Sequence, residues 1–504
     1  MGTTTARGRA SQGAVETSST VGFSSLTAAA LVFVASGAVL VLEILSVRLL
    51  TPYIGMTLET TTSVIGAVLA GIAGGAALGG RVADKINPRW LVVGLFIAGG
   101  LLVLTTVPIV RALGPAVSEG GALAAVGVTF AALVPVAAAL SAVTPTVARL
   151  QLRDLQASGT IVGRLSGWAT AGALAGTFAT GFVLVPLLPV SSTVLGVGVV
   201  LVIVGIALGF YTQRMSLGKI AGAGLATVAL ALLTVVQHHP CLQETEYHCV
   251  QLIGDPEHPG LEVLVLDRGY NSEINLANPR YLGFNYEKWV SQAIDGLSPS
   301  KAPLDAVFVG GGAFTLARWL ETTRPGSRSN VLEVDGQLVE FDRQRLGLRT
   351  SADLRATVGD ARLTMQRERS HSADVIVGDA FSSRTVPWQL MTTEWLGDVR
   401  RVLKPGGIYA LNMIDEQPLK LLRAEAATLL GQFSQLRLIT YAEPGQIIGG
   451  NEVLIASNAP LPAQLPLREP GVHVFGRPAI VALVGKAQPL RDDYAPVDQL
   501  ETRR

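Results

Sequence analysis

The chain has 504 residues, of which 49% are hydrophobic, 15% are charged and 55 are glycine, a composition too apolar for an ordinary soluble protein. Its formal net charge of +1 hides two unlike halves: residues 1–236 carry 12 Lys/Arg against 6 Asp/Glu, and the remaining residues carry 27 against 32. The acidic second half argues against a nucleic-acid partner and is compatible with a cationic one, although a solvated acidic surface has the same composition.

The amino-terminal half predicts a disordered tail followed by a transmembrane domain. Residues 1–24 are rich in Ser and Thr, and many polar residues separate Arg7 and Arg9 from the first apolar stretch, which is not the pattern of a cleaved signal. Residues 25–237 contain about seven apolar stretches, each long enough to span a bilayer as a helix. The predicted spans are 26–50, 60–80, 90–113, 121–143, 166–190, 192–211 and 220–236.

The distribution of basic residues predicts the orientation of these spans. Lys and Arg cluster before the first span and after the second, fourth and sixth, which by the positive-inside rule places the amino terminus in the cytoplasm. Seven spans then place the second half of the chain outside the cytoplasm. If one stretch is re-entrant or interfacial, the side is reversed. The predicted localisation is therefore a multi-pass plasma-membrane protein, with the extracytoplasmic side as the first alternative for the second half.

Charged residues near the end of the first span have two interpretations. Glu43 and Arg48 lie at membrane depth, and Glu59 follows beyond the span. They form either an intramembrane ion pair or substrate contact, or side chains that snorkel to the interface.

Two cysteines, Cys241 and Cys249, follow the last span. Free thiols are one reading, and a disulfide is the other if the segment lies outside the cytoplasm. The nearby histidines His238, His239 and His248 lack the spacing of a paired metal-ligand motif, so no metal is expected.

The second half predicts a small β-unit followed by an α/β domain. Residues 238–285 contain two alternating stretches, 247–253 and 261–267, separated by a Gly/Pro turn. Within residues 286–460, a helix at 286–294 precedes strands and helices in alternation, which predicts a Rossmann-like, mainly parallel sheet covered on both faces. Stretches 436–441 and 452–457 are expected to close it as an antiparallel edge. Residues 461–504 are Pro-rich and predict a tail that wraps the surface.

Polar residues at the strand ends indicate a nucleoside site. Gly310, Gly311 and Gly312 follow the first strand of the sheet, allow a tight turn and expose the N–H groups of the next helix. After the second strand, Glu333 or Asp335 can accept the two ribose hydroxyls.

Two further carboxylates follow later strands. Asp360, in the turn that continues into Ala361, suits an exocyclic adenine amine, and Asp379 is placed to orient or deprotonate an amine nucleophile. The alternatives are a helix N-cap for Asp360 and a turn role for Asp379.

Several of these motifs occur in the order typical of one family. Between about residues 244 and 457 the chain carries Leu-Val-Leu-Asp267, Asn285-Tyr-Glu-Lys-Trp-Val290, the glycine triplet, Glu333-Val-Asp335, Gly-Asp360, an Asp379-led loop, Leu403-Lys-Pro-Gly-Gly407 and Gly445-Gln-Ile-Ile-Gly449. This half resembles the spermidine synthase family of aminopropyltransferases, and the whole chain resembles its membrane-fused bacterial branch. The resemblance implies a class I methyltransferase-like fold.

The resemblance also implies a reaction and a set of residue roles. An amine nitrogen would attack the aminopropyl carbon of decarboxylated S-adenosylmethionine and release methylthioadenosine, without a metal. Glu333 would bind ribose, Asp360 the adenine amine, and His248 the donor, while Tyr286 and Glu287 would line the amine site and Asp379 would be the base. The partners implied are a small amine or polyamine and the lipid bilayer; a homodimer is compatible with this reading.

The chain departs from the family pattern at the cationic groups. Ala313 stands where the family has an aspartate after the glycines, Ser382 replaces the second carboxylate of the Asp-x-x-Asp loop, and Glu287 replaces a glutamine. Three functions therefore stay open: an aminopropyltransferase-like enzyme, a transferase that uses S-adenosylmethionine itself on another acceptor, and a non-catalytic polyamine sensor or carrier.

Overall fold

The computed structural model describes residues 23–55, 58–152, 158–212, 215–298, 300–381, 386–443, 446–462, 465 and 467–501. Within them the chain forms an amino-terminal helical bundle, a small antiparallel sheet and a larger α/β domain. The predicted tail 1–24 falls almost wholly outside the described residues.

The bundle consists of long apolar helices with short connections. Seven segments of the described chain are long and apolar enough to cross a membrane, as the sequence predicts: Ser25–Ile54, Thr60–Ala83, Pro88–Val117, Leu123–Gln151, Ser158–Leu187, Val190–Tyr211 and Leu217–Val236. The helices are α1 (Ser25–Ile54), α2 (Leu58–Ala83), α3 (Pro88–Ser141), α4 (Val143–Gln151), α5 (Ser158–Ala179), α6 (Val185–Leu187), α7 (Val190–Tyr211) and α8 (Leu217–Val236), with a π-helical turn at Thr180–Leu184.

Helix α3 holds two of the spans, which pack back against each other. Gly99 lies so near Leu140 that a Cβ at Gly99 would come 2.7 Å from Cδ2 of Leu140. The third and fourth spans are therefore antiparallel neighbours. At Gly172 a Cβ would lie 2.1 Å from the carbonyl oxygen of Phe33, so α5 approaches α1 at a distance that only glycine allows.

The outward faces of the bundle are strongly apolar. Only 11% of the most apolar window of the fifth segment and 11% of that of the seventh is buried inside the protein. Phe182 and Val236 are among the exposed side chains there. Helices with this exposure are suited to contact with lipid chains.

The small sheet lies next to the bundle in the chain and is antiparallel. It has the strand order β1-β2-β3-β4, with bounds Gln243–Glu244, Cys249–Gly254, Leu261–Leu266 and Gly269–Asn275. The predicted two-strand β-unit is thus extended by a strand on each side. Cys241 and Cys249 form a disulfide at its start, which resolves the alternative left open by the sequence.

The larger sheet has the strand order β12-β10-β11-β9-β8-β5-β6-β7 in the described chain. Strands β5 to β9 pair in parallel, and β11, β10 and β12 continue the sheet antiparallel. The bounds are β5 (Asp305–Val309), β6 (Arg328–Glu333), β7 (Leu354–Val358), β8 (Ala373–Gly378), β9 (Leu403–Glu416), β10 (Gln435–Glu443), β11 (Gln446–Ser457) and β12 (Val472–Gly476).

Helices cover both faces of this sheet. They are α9 (Asn285–Leu297), α10 (Thr315–Thr323), α11 (Gly336–Arg345), α12 (Ala361–Arg367), α13 (Thr393–Val402), α14 (Lys420–Gln432), α15 (Arg477–Val484) and α16 (Val497–Leu500). Strand order reverses between β5 and β8, so a crevice opens at their carboxyl ends, where open α/β sheets bind ligands. The fold is the predicted Rossmann-like, class I methyltransferase-like one.

The predicted carboxyl-terminal tail is only partly a surface wrap. Val472–Gly476 pairs with β10 as the edge strand, and Ile480 of α15 is fully buried. The prediction missed this strand because it is short and lies among proline and glycine residues, which weaken the alternating pattern.

Candidate functional site

The glycine loop joins β5 to α10 at the switch point of the sheet. Gly310 has φ +96°, and a Cβ there would lie 2.3 Å from the carbonyl oxygen of Asp379. Gly312 has φ +48°, and its Cβ would lie 2.5 Å from Oγ of Ser272. Two of the three predicted glycines are thus required both by backbone conformation and by close approach of neighbouring strands.

Glu333, at the end of β6, closes on this loop. Its Oε2 accepts the N–H of Gly311 at 2.7 Å, and its Oε1 accepts the N–H of Asp335 at 2.9 Å. Burial raises the pKa of Glu333, and these two N–H donors oppose the rise. A carboxylate oxygen has more than one acceptor site, so ribose hydroxyls could still be bound at this strand end.

Asp335, the other residue predicted to bind the ribose, has a structural role here. Its Oδ1 accepts the N–H groups of Gln337 and Leu338 and so caps α11, while its Oδ2 accepts the hydroxyl of Thr245. The side chain is completely buried. Both of its oxygens are hydrogen-bonded within the fold, so Glu333 is the better placed of the two for the ribose, and the assignment of Asp335 stays a prediction.

Asp360 starts α12, as the N-cap alternative proposed. Its Oδ1 accepts the N–H groups of Arg362 at 2.8 Å and Leu363 at 3.2 Å. The residue is exposed, next to half-buried Ala361 and exposed Val358. Capping occupies one oxygen, and an adenine amine would be left to Oδ2.

Asp379 lies deeper in the crevice and is held from two sides. The hydroxyl of Tyr286 donates to Oδ2 at 2.9 Å, and Nδ2 of Asn412 donates to Oδ1 at 2.8 Å. Asn451 in turn donates to Oδ1 of Asn412 at 3.1 Å. Burial raises the pKa of Asp379 to about 6, against the lowering effect of its two hydrogen bonds. At neutral pH the group is a carboxylate with a fixed orientation.

The sequence reasoning missed Asn412 and Asn451. Asn412 interrupts the apolar run of β9, where a buried polar side chain needs a partner, and that interruption is the signal that could have found it. Asn451 lies on the adjacent antiparallel strand and has no comparable local signal.

Glu287 adds a second buried carboxyl to this cluster. Burial, together with the charge of Asp379, raises the pKa of Glu287 to about 8, although the N–H of Phe284 donates to it at 3.2 Å. Close by, Tyr281 donates to Glu273 at 2.7 Å, and burial with that carboxylate raises the pKa of Tyr281 to about 12. Among the described residues, the carboxyl groups of Glu273, Glu287 and Asp379 form no ion pair with Lys or Arg.

Tyr286, Glu287 and Asp379 line an open cleft beside the glycine loop. Its walls include the three glycines and the predicted amine-site residues; the polar and loop residues among them are Asn271, Ser272, Tyr286, Glu287, Gly310, Gly311, Gly312, Thr315 and Asp379. The structure therefore brings together the glycine loop, Tyr286, Glu287 and Asp379. Ala313 is fully buried and its N–H donates to Ser272, while Ser382 lies outside the described residues.

His248 lines a different cavity. Its Nδ1 lies 3.0 Å from Oδ2 of Asp267, and although burial lowers the pKa of His248, that carboxylate raises it above its ordinary value. This cavity lies between the bundle and the small sheet, and Arg48, Arg111 and Glu244 also line it. The predicted donor contact of His248 is not part of the glycine-loop cleft as the described residues define it.

Three potential metal ligands lie near this cavity, but one of them cannot bind a metal ion. His239, Cys241 and Glu244 approach one another closely enough to be ligands. The sulfur of Cys241 is bonded to Cys249, so it cannot act as a thiolate ligand. His239 is instead paired with Glu244 at 3.1 Å.

Three proteins that are similar to this chain are named as polyamine aminopropyltransferases or as a probable one. No family model matches this chain. A polyamine aminopropyltransferase of Vibrio vulnificus is 23% identical over 233 residues, which cover 43% of this chain and 76% of that protein. A probable polyamine aminopropyl transferase of Bifidobacterium longum is 32% identical over 109 residues, covering 21% and 24%. A polyamine aminopropyltransferase of Neisseria meningitidis is 23% identical over 141 residues, covering 28% of this chain and 53% of that protein.

Two solved structures are similar to part of this chain. A probable spermidine synthase from Corynebacterium glutamicum superimposes with a TM-score of 0.46 at 23% identity and covers 50% of this chain and 96% of its own. The spermidine synthase of Thermotoga maritima gives a TM-score of 0.34 at 15% identity, with 43% and 72% covered.

Proposed function

Because the carboxyl-terminal half of this chain is related to the polyamine aminopropyltransferases, the spermidine synthase family, we propose that the protein is a membrane-embedded enzyme that transfers an aminopropyl group to an amine. The observation that carries the proposal is the geometry around Asp379. A carboxylate oriented by Tyr286 and Asn412 faces the same cleft as the glycine loop. This arrangement supports a mechanism in which Asp379 is a base next to a loop that binds the nucleoside.

The donor is decarboxylated S-adenosylmethionine. Its adenosine part binds along the carboxyl ends of β5, β6 and β7, with Gly310–Gly312 against the nucleoside, Glu333 at the ribose and Oδ2 of Asp360 at the adenine amine. Gly310 approaches Asp379 closely, so in this proposal the sulfonium end of the donor lies near Asp379. That end then points toward Tyr286 and Asp379.

The reaction is a nucleophilic displacement at carbon. The attacking nitrogen of the acceptor is neutral; its lone pair forms a bond to the aminopropyl carbon next to sulfur, the carbon–sulfur bond breaks, and its electron pair leaves with methylthioadenosine. The nitrogen releases one proton, which Asp379 accepts by hydrogen bonding and passes to solvent. Since the pKa of Asp379 is raised to about 6, it is both ionised and a competent base near neutral pH.

The acceptor is a polyamine or another cationic amine. Asp379 and Glu273 carry negative charge that the described cations leave unpaired, and Glu287 adds a buried carboxyl beside them. An ammonium group bound among them favours the ionised form of Glu287, against the burial and the charge of Asp379 that raise the pKa of Glu287. Glu287 also supplies a carboxyl to a cleft in which Ala313 carries none.

The bundle spans the membrane, with the soluble domain on the extracytoplasmic side. Arg48 near the end of α1 and Ser191 at the start of α7 contact the small sheet. These helix ends are opposite to those that carry Arg81, Arg149 and Lys219. The disulfide between Cys241 and Cys249 supports the same side, because the cytoplasm keeps most thiols reduced.

The proposal is tested with purified full-length protein, two donors and a panel of amines. We expect release of methylthioadenosine from decarboxylated S-adenosylmethionine only when a di- or polyamine is present. The control is Glu340→Gln, because Glu340 is exposed and paired with Arg343 away from the cleft. This variant is expected to behave as wild type. Product from S-adenosylmethionine instead would establish the second transferase reading, and nucleoside or amine binding without turnover would establish the sensor or carrier reading.

A further inference from the structure

Helix α1 of the bundle is hydrogen-bonded directly to the residue that follows strand β1 of the small sheet. Arg48, in α1, donates through Nη2 to the carbonyl oxygen of Thr245 at 2.6 Å, although 197 positions separate them. The sequence offered an intramembrane ion pair or substrate contact, or a side chain that snorkels to the interface; the structure adds that Arg48 reaches a backbone carbonyl beyond the bundle. This contact joins two folded units through one buried carbonyl.

Thr245 extends this contact into the α/β domain. Its hydroxyl is hydrogen-bonded to Oδ2 of Asp335 and accepts the N–H of His248 at 2.8 Å. Asp335 caps α11 with its other oxygen, at 3.0 Å from Gln337 N. Its own N–H donates to Glu333 at 2.9 Å.

The series ends at the glycine loop, where Oε2 of Glu333 accepts the N–H of Gly311 at 2.7 Å. Thr245, Asp335 and Glu333 are 4%, 0% and 6% exposed. Water therefore has little access to replace a lost partner, and each group depends on the next for its position.

A second hydrogen bond connects the bundle to the segment around Asp335. Nε2 of Gln337, in the first turn of α11, donates to the carbonyl oxygen of Pro186 in α6 at 3.2 Å. The bundle thus contacts α11 next to Asp335 as well as through Thr245. Both hydrogen bonds converge on the segment that holds Glu333.

We propose that Arg48 is a positioning residue for nucleoside binding, acting through Thr245 and Asp335 on Glu333 and the glycine loop. The membrane bundle is then part of the architecture of the site as well as an anchor. The ligand named here, an adenosine compound, rests on the proposed function, but the positioning itself does not. Since coupling is reciprocal, a bound nucleoside also strengthens the contact between bundle and soluble domain.

The test compares full-length variants in their affinity for methylthioadenosine, measured by calorimetry. Arg48→Met removes the donor, Arg48→Lys keeps a charged donor, and Thr245→Val removes the hydroxyl without touching the bundle. We expect Arg48→Met and Thr245→Val each to raise Kd by about tenfold, and Arg48→Lys to restore part of the loss. The matched control is Arg149→Gln, which removes a bundle arginine paired with Asp84 at the other helix ends; its Kd should equal that of wild type.

Two readouts separate positioning from general stability. The double variant Arg48→Met with Thr245→Val should lose less than the sum of the two single variants, because both act on one series of bonds. At saturating donor the kcat of each single variant should stay within about twofold of wild type, with the loss confined to KM. Equal Kd in wild type and both single variants, or strictly additive losses, would overturn the proposal.

Hydrogen exchange in the unliganded protein tests the positioning role of Arg48 without any ligand. In the unliganded protein, Arg48→Met should speed exchange at the amides of Gly311, Gln337 and Leu338, while those of β12, at the far edge of the sheet, stay unchanged. If Arg48→Met does not insert into membranes, Thr245→Val carries the same comparison. Unchanged exchange at Gly311 refutes the positioning role, whereas changed exchange without nucleoside binding refutes only the proposed function.

Discussion

The hydroxyl of Tyr286 donates a 2.9 Å hydrogen bond to Oδ2 of Asp379, joining the start of α9 to the end of β8 across the cleft. Asn412 donates to the other oxygen, so both carboxylate oxygens have a fixed direction. Burial without a countercharge keeps the pKa of Asp379 at about 6, which is close to neutral pH yet below it. The arrangement suits a base that must be ionised before a cationic amine arrives and must take up a proton afterwards.

Replacing Asp379 by Asn should abolish most of the turnover while retaining the shape of the side chain. General-base contributions are typically about 10²–10⁴-fold in rate, so kcat should fall by at least about a hundredfold. Binding of methylthioadenosine, which the glycine loop and Glu333 dominate, should be largely unchanged in calorimetry. A variant that turns over any amine at the wild-type rate would remove Asp379 from the mechanism.

Tyr286→Phe serves as the companion variant. It removes one donor to Asp379 and leaves the base itself in place, so a smaller loss of kcat than in Asp379→Asn is expected. An equal loss in both would show that Asp379 does not act as a base without the hydroxyl of Tyr286.

Glu287 should make the stability of the unliganded protein depend on pH. Burial and the neighbouring charge of Asp379 raise its pKa from 4.5 to about 8. A carboxyl with a raised folded-state pKa contributes stability that is fully present below its unfolded value and is lost as pH rises through the folded value. The melting temperature should therefore fall between about pH 5 and pH 8, and Glu287→Gln should flatten this part of the profile.

The matched variant for this measurement is Glu340→Gln, because Glu340 is exposed and paired with Arg343. Its profile should follow that of wild type. If Glu287→Gln leaves the pH dependence of the melting temperature as it was, the carboxyl of Glu287 does not titrate in this range.

The sequence predicted the elements that are local in the chain. The seven apolar spans, the glycine triplet after β5 and the carboxylates at the ends of β6 and β8 all follow from short patterns. Periodicity and turn residues act over about one element, so they are visible without a partner strand. The resemblance to aminopropyltransferases likewise rests on such motifs in order.

Contacts between distant segments could not be predicted in this way. Arg48 meets Thr245, and Asn451 meets Asn412, only because whole elements pack against each other. Asp335 looked equivalent to Glu333 in sequence, yet its position after the strand turns it onto Thr245 and the N-terminus of α11. The edge strand Val472–Gly476 likewise depends on pairing with β10 more than on its own pattern.

The side of the membrane is open to direct measurement. With seven spans and basic residues at alternate helix ends, a carboxyl-terminal reporter that is active only outside the cytoplasm should be active. Cys241 and Cys249 should resist alkylation until the protein is reduced, since they form a disulfide in the structure. A reporter active only in the cytoplasm, together with freely alkylated thiols, would reverse the orientation.

The nucleoside pocket is tested by two substitutions that keep side-chain shape. Glu333→Gln and Asp360→Asn each remove a negative charge expected at the ribose and the adenine amine. A charged hydrogen bond of this kind contributes about 1.5–3 kcal/mol, so each variant should bind methylthioadenosine about ten- to a hundredfold more weakly in calorimetry.

The two residues differ in burial, since Glu333 is 6% exposed and Asp360 lies at the surface. Glu333→Gln should therefore also lower the melting temperature, because its two backbone donors lose a charged acceptor, whereas Asp360→Asn retains a side chain suited to the N-cap of α12. Unchanged affinity in both variants would place the nucleoside elsewhere on the sheet.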